Sequence, residues 1–76
     1  MHTGAELDLL ILRDRQRFGF EIKLTHSPGI TPSMRSALDV LALDHLYLVC
    51  GGTGTPWPLS ERITALPLGS LWKART

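Results

Sequence analysis

The sequence predicts an α/β domain built on a mixed sheet, and three observations predict it. Two aliphatic-rich segments, Glu6–Leu12 and Phe18–Leu24, flank a wholly polar break and read as an antiparallel hairpin. A helix signal follows at Thr31-Pro32, threonine as N-cap and proline at the first helical position. A third aliphatic segment, His45–Cys50, comes after that helix. A strand–helix–strand passage favours parallel pairing through a right-handed crossover.

Each element has its own justification. Glu6–Leu12 (ELDLLIL) is apolar on both faces after Asp8, the pattern of a strand central in its sheet. Arg13–Arg17 (RDRQR) supplies the hairpin turn. In Phe18–Leu24 the residues alternate: Phe18, Phe20, Ile22 and Leu24 point one way, Gly19, Glu21 and Lys23 the other. Thr25–Ile30 is a loop turned by Pro28-Gly29. Met34, Ala37, Leu38 and Leu41 then fall at helical spacing, which predicts a helix from about Pro32 to Leu43. Gly51–Pro58 is a loop rich in glycine and proline. The rest reads as a small, largely irregular section: a late hairpin or edge strands at Trp57–Leu59 and Ile63–Leu66, then a short helical turn over Pro67–Trp72.

The 76 residues make one small domain with little spare stability. Hydrophobic residues are 43% of the chain and charged ones 20%, which argues against a disordered tail. A net charge of +1 leaves a nucleic-acid partner open without favouring it. The lone cysteine, Cys50, reads as a small buried hydrophobe and fits a reducing compartment. No transmembrane-length apolar run and no signal-peptide layout is found, so the expectation is a cytoplasmic protein without a membrane partner.

The chemistry-bearing feature is Glu6-x-Asp8 on one strand and Glu21-x-Lys23 on the next. A hairpin register pairing residues of odd summed number sets Asp8 across from Glu21 or Lys23. It also stacks Leu7, Leu9 and Ile11 on Phe18, Phe20 and Ile22, and a slip by one residue scatters both sets. Two or three carboxylates on one site hold Mg2+ or Mn2+ through oxygen. Such a metal polarises a phosphoryl oxygen and activates water, while a lysine orients that water or stabilises developing charge. On this reading Asp8, Glu21 and Lys23 are the catalytic group. Asp8 and Glu21 are the metal ligands, joined by the Ile22 backbone carbonyl and by Glu6 as a further candidate. The other reading is a solvated face of cross-strand ion pairs.

The series Gly4-Ala5-Glu6-Leu7-Asp8-Leu9-Leu10, a turn, then Phe20-Glu21-Ile22-Lys23 resembles the signature of the PD-(D/E)xK nuclease-like superfamily. More narrowly it resembles the uncharacterised C-terminal domain of AAA+-type ATPases of bacteria and archaea. Ser27-Pro28, the helix from Pro32, the strand His45–Cys50, and Leu66-Pro67 with Leu71-Trp72 follow in that family's order, so the resemblance runs from Gly4 to Trp72. It implies a restriction-endonuclease-like core, with residues 1–76 as a single truncated domain of that kind.

Two departures shape the functional expectation. No G-x-x-x-x-G-K-[ST] phosphate loop is present, so the chain by itself is no ATPase. The superfamily core also begins with a helix before the aspartate strand, and its loss exposes one face of the sheet. Self-association, or pairing with an ATPase-bearing partner, is expected to cover that face. The function expected is a non-catalytic or vestigial nuclease-like accessory module, used in assembly. The alternative is a metal-dependent nuclease acting on DNA or RNA with Mg2+ or Mn2+.

Weaker signals read structurally. Gly51-Gly52-Thr53-Gly54 lacks the lysine of a phosphate loop, and His26 has no second histidine at ligand spacing. Arg13, Arg15 and Arg17 suit a solvated turn as well as a phosphate backbone. Trp57 and Trp72 are expected to cap the late end of the core.

Overall fold

The computed structural model of the chain describes residues 7–73. Five strands and two helices occur in the order β1 (Leu9–Arg13), β2 (Gln16–Ile22), α1 (Pro32–Val40), β3 (His45–Cys50), β4 (Trp57–Pro58), β5 (Ile63–Pro67) and α2 (Leu68–Lys73). The strands form one mixed sheet in the order β1-β2-β3-β5-β4. β1 and β2 are antiparallel, β2, β3 and β5 are mutually parallel, and β4 returns antiparallel to β5. The α/β class, the hairpin and the strand after the helix are as the sequence predicts.

The hairpin register is also the expected one: Leu9 pairs with Phe20 and Ile11 with Phe18. Its turn holds Asp14 and Arg15 at φ of 51° and 66°. Positive φ at both central residues lets a two-residue turn match the right-handed twist of the strands.

Helix α1 starts where the caps place it. The Thr31 side chain accepts the Met34 N–H at 3.3 Å, and Pro32 follows in the first turn. It stops at Val40, earlier than the periodicity suggests. Ala42 adopts φ 50°, the Ala42 N–H bonds to Asp39 O, and the Leu43 N–H bonds to Leu38 O at 3.0 Å. That is a Schellman closure with alanine where glycine is usual. It turns Leu43 out of the helix and into the core, where it is 2% exposed.

The core lies on one face of the sheet. Met34, Ala37 and Leu38 of α1, with Leu43, cover Leu46, Leu48 and Ile63. Register carries Ala65 and Pro67 onto the same side, beside Leu48 and Cys50. Leu46 and Leu48 are wholly buried, so truncating either to alanine costs about 2–5 kcal/mol. Cys50 is buried too, the small hydrophobe its strand position suggests.

Four expectations need correction. The late hairpin forms as expected between β4 and β5, but β5 is neither irregular nor an edge: it is a full strand inside the sheet, because Ile63, Ala65 and Pro67 bury in alternation. Leu7 does not stack with Leu9 and Ile11 but packs against the helix-covered core, which Phe18, Phe20 and Ile22 do not face. Gly19 does, since a Cβ there would lie 2.7 Å from Leu43 Cδ1. Trp57 is 40% exposed on β4 instead of capping the core, while the Trp72 side chain lies outside the described residues. The aliphatic first strand is not central; β1 is an edge strand.

The second face of the sheet carries Leu9, Ile11, Phe20, Ile22 and Val49, and among the described residues Leu68, at the start of α2, lines it at one end. Parallel strands ordinarily sit in sheets covered on both faces. Ile22 and Leu24 are 55% and 62% exposed, so this side is an apolar surface.

Candidate functional site

The sequence candidates converge where β1 begins and β2 ends. The paired register ends at Leu9 and Phe20, with Asp8 just before it on one strand and Glu21 just after it on the other. The ladder departs from regularity there. The Asp8 N–H reaches Phe20 O at 3.1 Å while Leu9 also pairs with Phe20, so two residues of one strand share one partner. This is the arrangement of a β-bulge, which re-aims a side chain. The Asp8 side chain turns along the sheet, and its Oδ2 accepts the Ile22 backbone N–H at 2.7 Å.

Glu21 is half-buried on the helix-covered side of β2, in register with Leu48 of β3. Lys23 is exposed and continues the parallel ladder, its backbone N–H donating to Val49 O at 2.8 Å. In a strand the N–H and C=O of one residue point to the same side. The Ile22 carbonyl therefore faces the β1 side with the N–H that Asp8 accepts. Glu6, the remaining candidate ligand, lies outside the described residues.

Hard cations take several oxygen ligands. Among the described residues, no group of three or more His, Cys, Asp or Glu is placed to hold one metal. Asp8 and Glu21 supply two carboxylates, and one Asp8 oxygen is engaged by a backbone donor.

Three arrangements escaped the sequence reading. Arg17 Nε donates to Leu41 O at 2.7 Å, and Arg17 and Asp44 exchange backbone and carboxylate hydrogen bonds. Arg62 donates to the Leu43 carbonyl. Both guanidinium groups satisfy carbonyls just past the end of α1, where the helix dipole favours cations. His45 Nε2 lies 2.6 Å from Thr64 Oγ1, and its ring tilts against Tyr47, which stacks on Phe20 at 5.1 Å. Burial, and then the nearby positive charge of Arg62, lower the His45 pKa. The only signal for these contacts was local polarity; their partners lie 19 to 27 residues away in sequence.

No family model matches the chain, and no solved structure matches it. It is similar to the uncharacterized protein Rv2008c of Mycobacterium tuberculosis and the uncharacterized protein Mb2031c of Mycobacterium bovis. Each is 46% identical over 63 residues, covering 83% of this chain and 14% of the relative. The chain thus spans about 14% of the length of these relatives. Among the described residues no helix is long and apolar enough to cross a membrane.

Proposed function

We propose that this domain is a nuclease-like accessory module, non-catalytic or vestigial, that serves assembly beside an ATPase-bearing chain. The observation that carries the reading is the use of the Asp8 carboxylate as a backbone acceptor for Ile22. A group that would serve as metal ligand is here part of the sheet. Two further features support the reading: an apolar sheet face exposed at Ile22 and Leu24, and similarity to a small part of much longer proteins.

The second reading, a metal-dependent nuclease on DNA or RNA, is favoured by one observation. The Asp8 carboxylate meets the Ile22 backbone, which lies between Glu21 and Lys23 in the chain. The two readings part in a cleavage assay. The purified chain is incubated with single- and double-stranded DNA and RNA in Mg2+ and in Mn2+. The accessory reading expects cleavage no faster than with Glu21→Gln. Metal-dependent cleavage that the substitution abolishes would establish the nuclease.

A further inference from the structure

Among the described residues strand β1 has the composition of a central strand and the position of an edge. Leu9, Leu10, Ile11 and Leu12 are 51%, 38%, 39% and 64% exposed. Leu10, in register with Gly19, lies on the α1 side of the sheet with Leu12; Leu9 and Ile11 lie on the open side. An occupant resting on the open face alone would leave Leu10 and Leu12 in water. One lying beside β1 covers all four. Edge strands normally carry protection, such as proline, inward charge or a bulge in mid-strand. Leu9–Leu12 has no charge and no proline, and the Asp8 bulge precedes it.

The backbone of β1 says which groups are available. On β2 the Ile22 N–H points to Asp8 and the Lys23 N–H to β3. Period two then sends the Phe20 and Phe18 amides toward β1, where they face Leu9 and Ile11. The amides and carbonyls of Leu10 and Leu12 therefore point outward, away from β2.

We propose that β1 pairs antiparallel with β1 of a second copy of this chain, about a two-fold axis at Ile11, making one continuous sheet. The occupant is a second copy because the strand is self-complementary. With Ile11 opposite its twin, Leu10 falls opposite the other copy's Leu12, the pair whose outward N–H and C=O groups exchange hydrogen bonds. Directly opposite residues share a face, so leucine meets leucine on the α1 side and isoleucine meets isoleucine on the other. Arg13 falls opposite Leu9, which keeps the two arginines at opposite ends and avoids like charges across the strand. This closed two-fold contact uses one patch on both copies. It rests on the assembly reading above and names the surface.

Sedimentation velocity of the full chain across micromolar concentrations tests it, with amide exchange at Leu10 and Leu12 as a second readout. The expected species has twice the 8.4 kDa chain mass, with both amides protected. Leu12→Lys, at an exposed position, and Leu10→Pro, which removes an outward donor, each weaken association by roughly tenfold or more while circular dichroism stays native. A monomer at every concentration overturns the pairing and would hand the edge to a strand from a longer chain. A dimer indifferent to both substitutions also overturns it, but leaves the assembly reading standing. Glu21-dependent nuclease activity would remove the assembly reading and leave the pairing untouched.

Discussion

The Asp8 carboxylate and the Ile22 backbone N–H meet at 2.7 Å across the mouth of the hairpin. Asp8 stands where β1 would otherwise present another ladder carbonyl, and its side chain takes over that acceptor's place. The β2 strand thereby keeps its donor satisfied one residue beyond the regular β1 pairing.

That geometry separates a structural aspartate from a catalytic one. Asp8→Ala is expected to lower the unfolding free energy by about 1 kcal/mol, since a hydrogen bond to a charged acceptor is lost at an exposed site. Asp8→Asn retains an acceptor oxygen and should lose clearly less. Urea unfolding of the three proteins checks the order; equal losses for both variants would contradict it.

Among the described residues Asp14, Arg15 and Ala42 hold left-handed backbone that glycine adopts without strain. Arg15 has φ 66° in the hairpin turn, and Ala42 has φ 50° after α1. Both are exposed, and neither is a case where a side chain fills the core. Arg15→Gly and Ala42→Gly are each expected to raise stability by about 0.5–1 kcal/mol, the relief of left-handed strain exceeding the added chain entropy of glycine. A lowered midpoint in thermal or urea unfolding for both would refute the assignment of these turns.

His45 gives the fold a pH dependence of defined sign. Its pKa in the folded state lies below the ordinary 6.5, because burial and then Arg62 disfavour the imidazolium. Between the folded and unfolded values the unfolded chain binds more protons, so stability rises with pH through that window. It falls as pH drops below about 6.5. His45→Gln should flatten this part of the stability profile. A wild-type and variant difference independent of pH between 5 and 7 would contradict it.

Much of the fold was legible because its signals are local. The alternation of Phe18–Leu24, the Thr31-Pro32 cap and the aliphatic run His45–Cys50 each declare an element from a few neighbouring residues. Register was legible as well, since a one-residue slip would separate Leu9 from Phe20. The choice of covered face was not. Both sides of the hairpin carry apolar residues, and Leu43, delivered by the Ala42 turn, together with Leu46 in register with Gly19, puts the helix on the Gly19 side. The edge position of β1 was hidden for a related reason: its composition reports what it is suited to touch, whereas its neighbours are set by the whole chain. At the site, the order Asp8, Glu21, Lys23 was readable, but the bulge that turns Asp8 onto Ile22 depends on backbone detail no spacing encodes.

Calorimetric titration of Mn2+ into the purified chain, beside Glu21→Gln, tests the accessory reading most directly. The account expects only weak, non-saturating heats that are the same in both proteins. Saturable binding near one ion per chain, lost in Glu21→Gln, would show that the carboxylates form a working metal site and would contradict it.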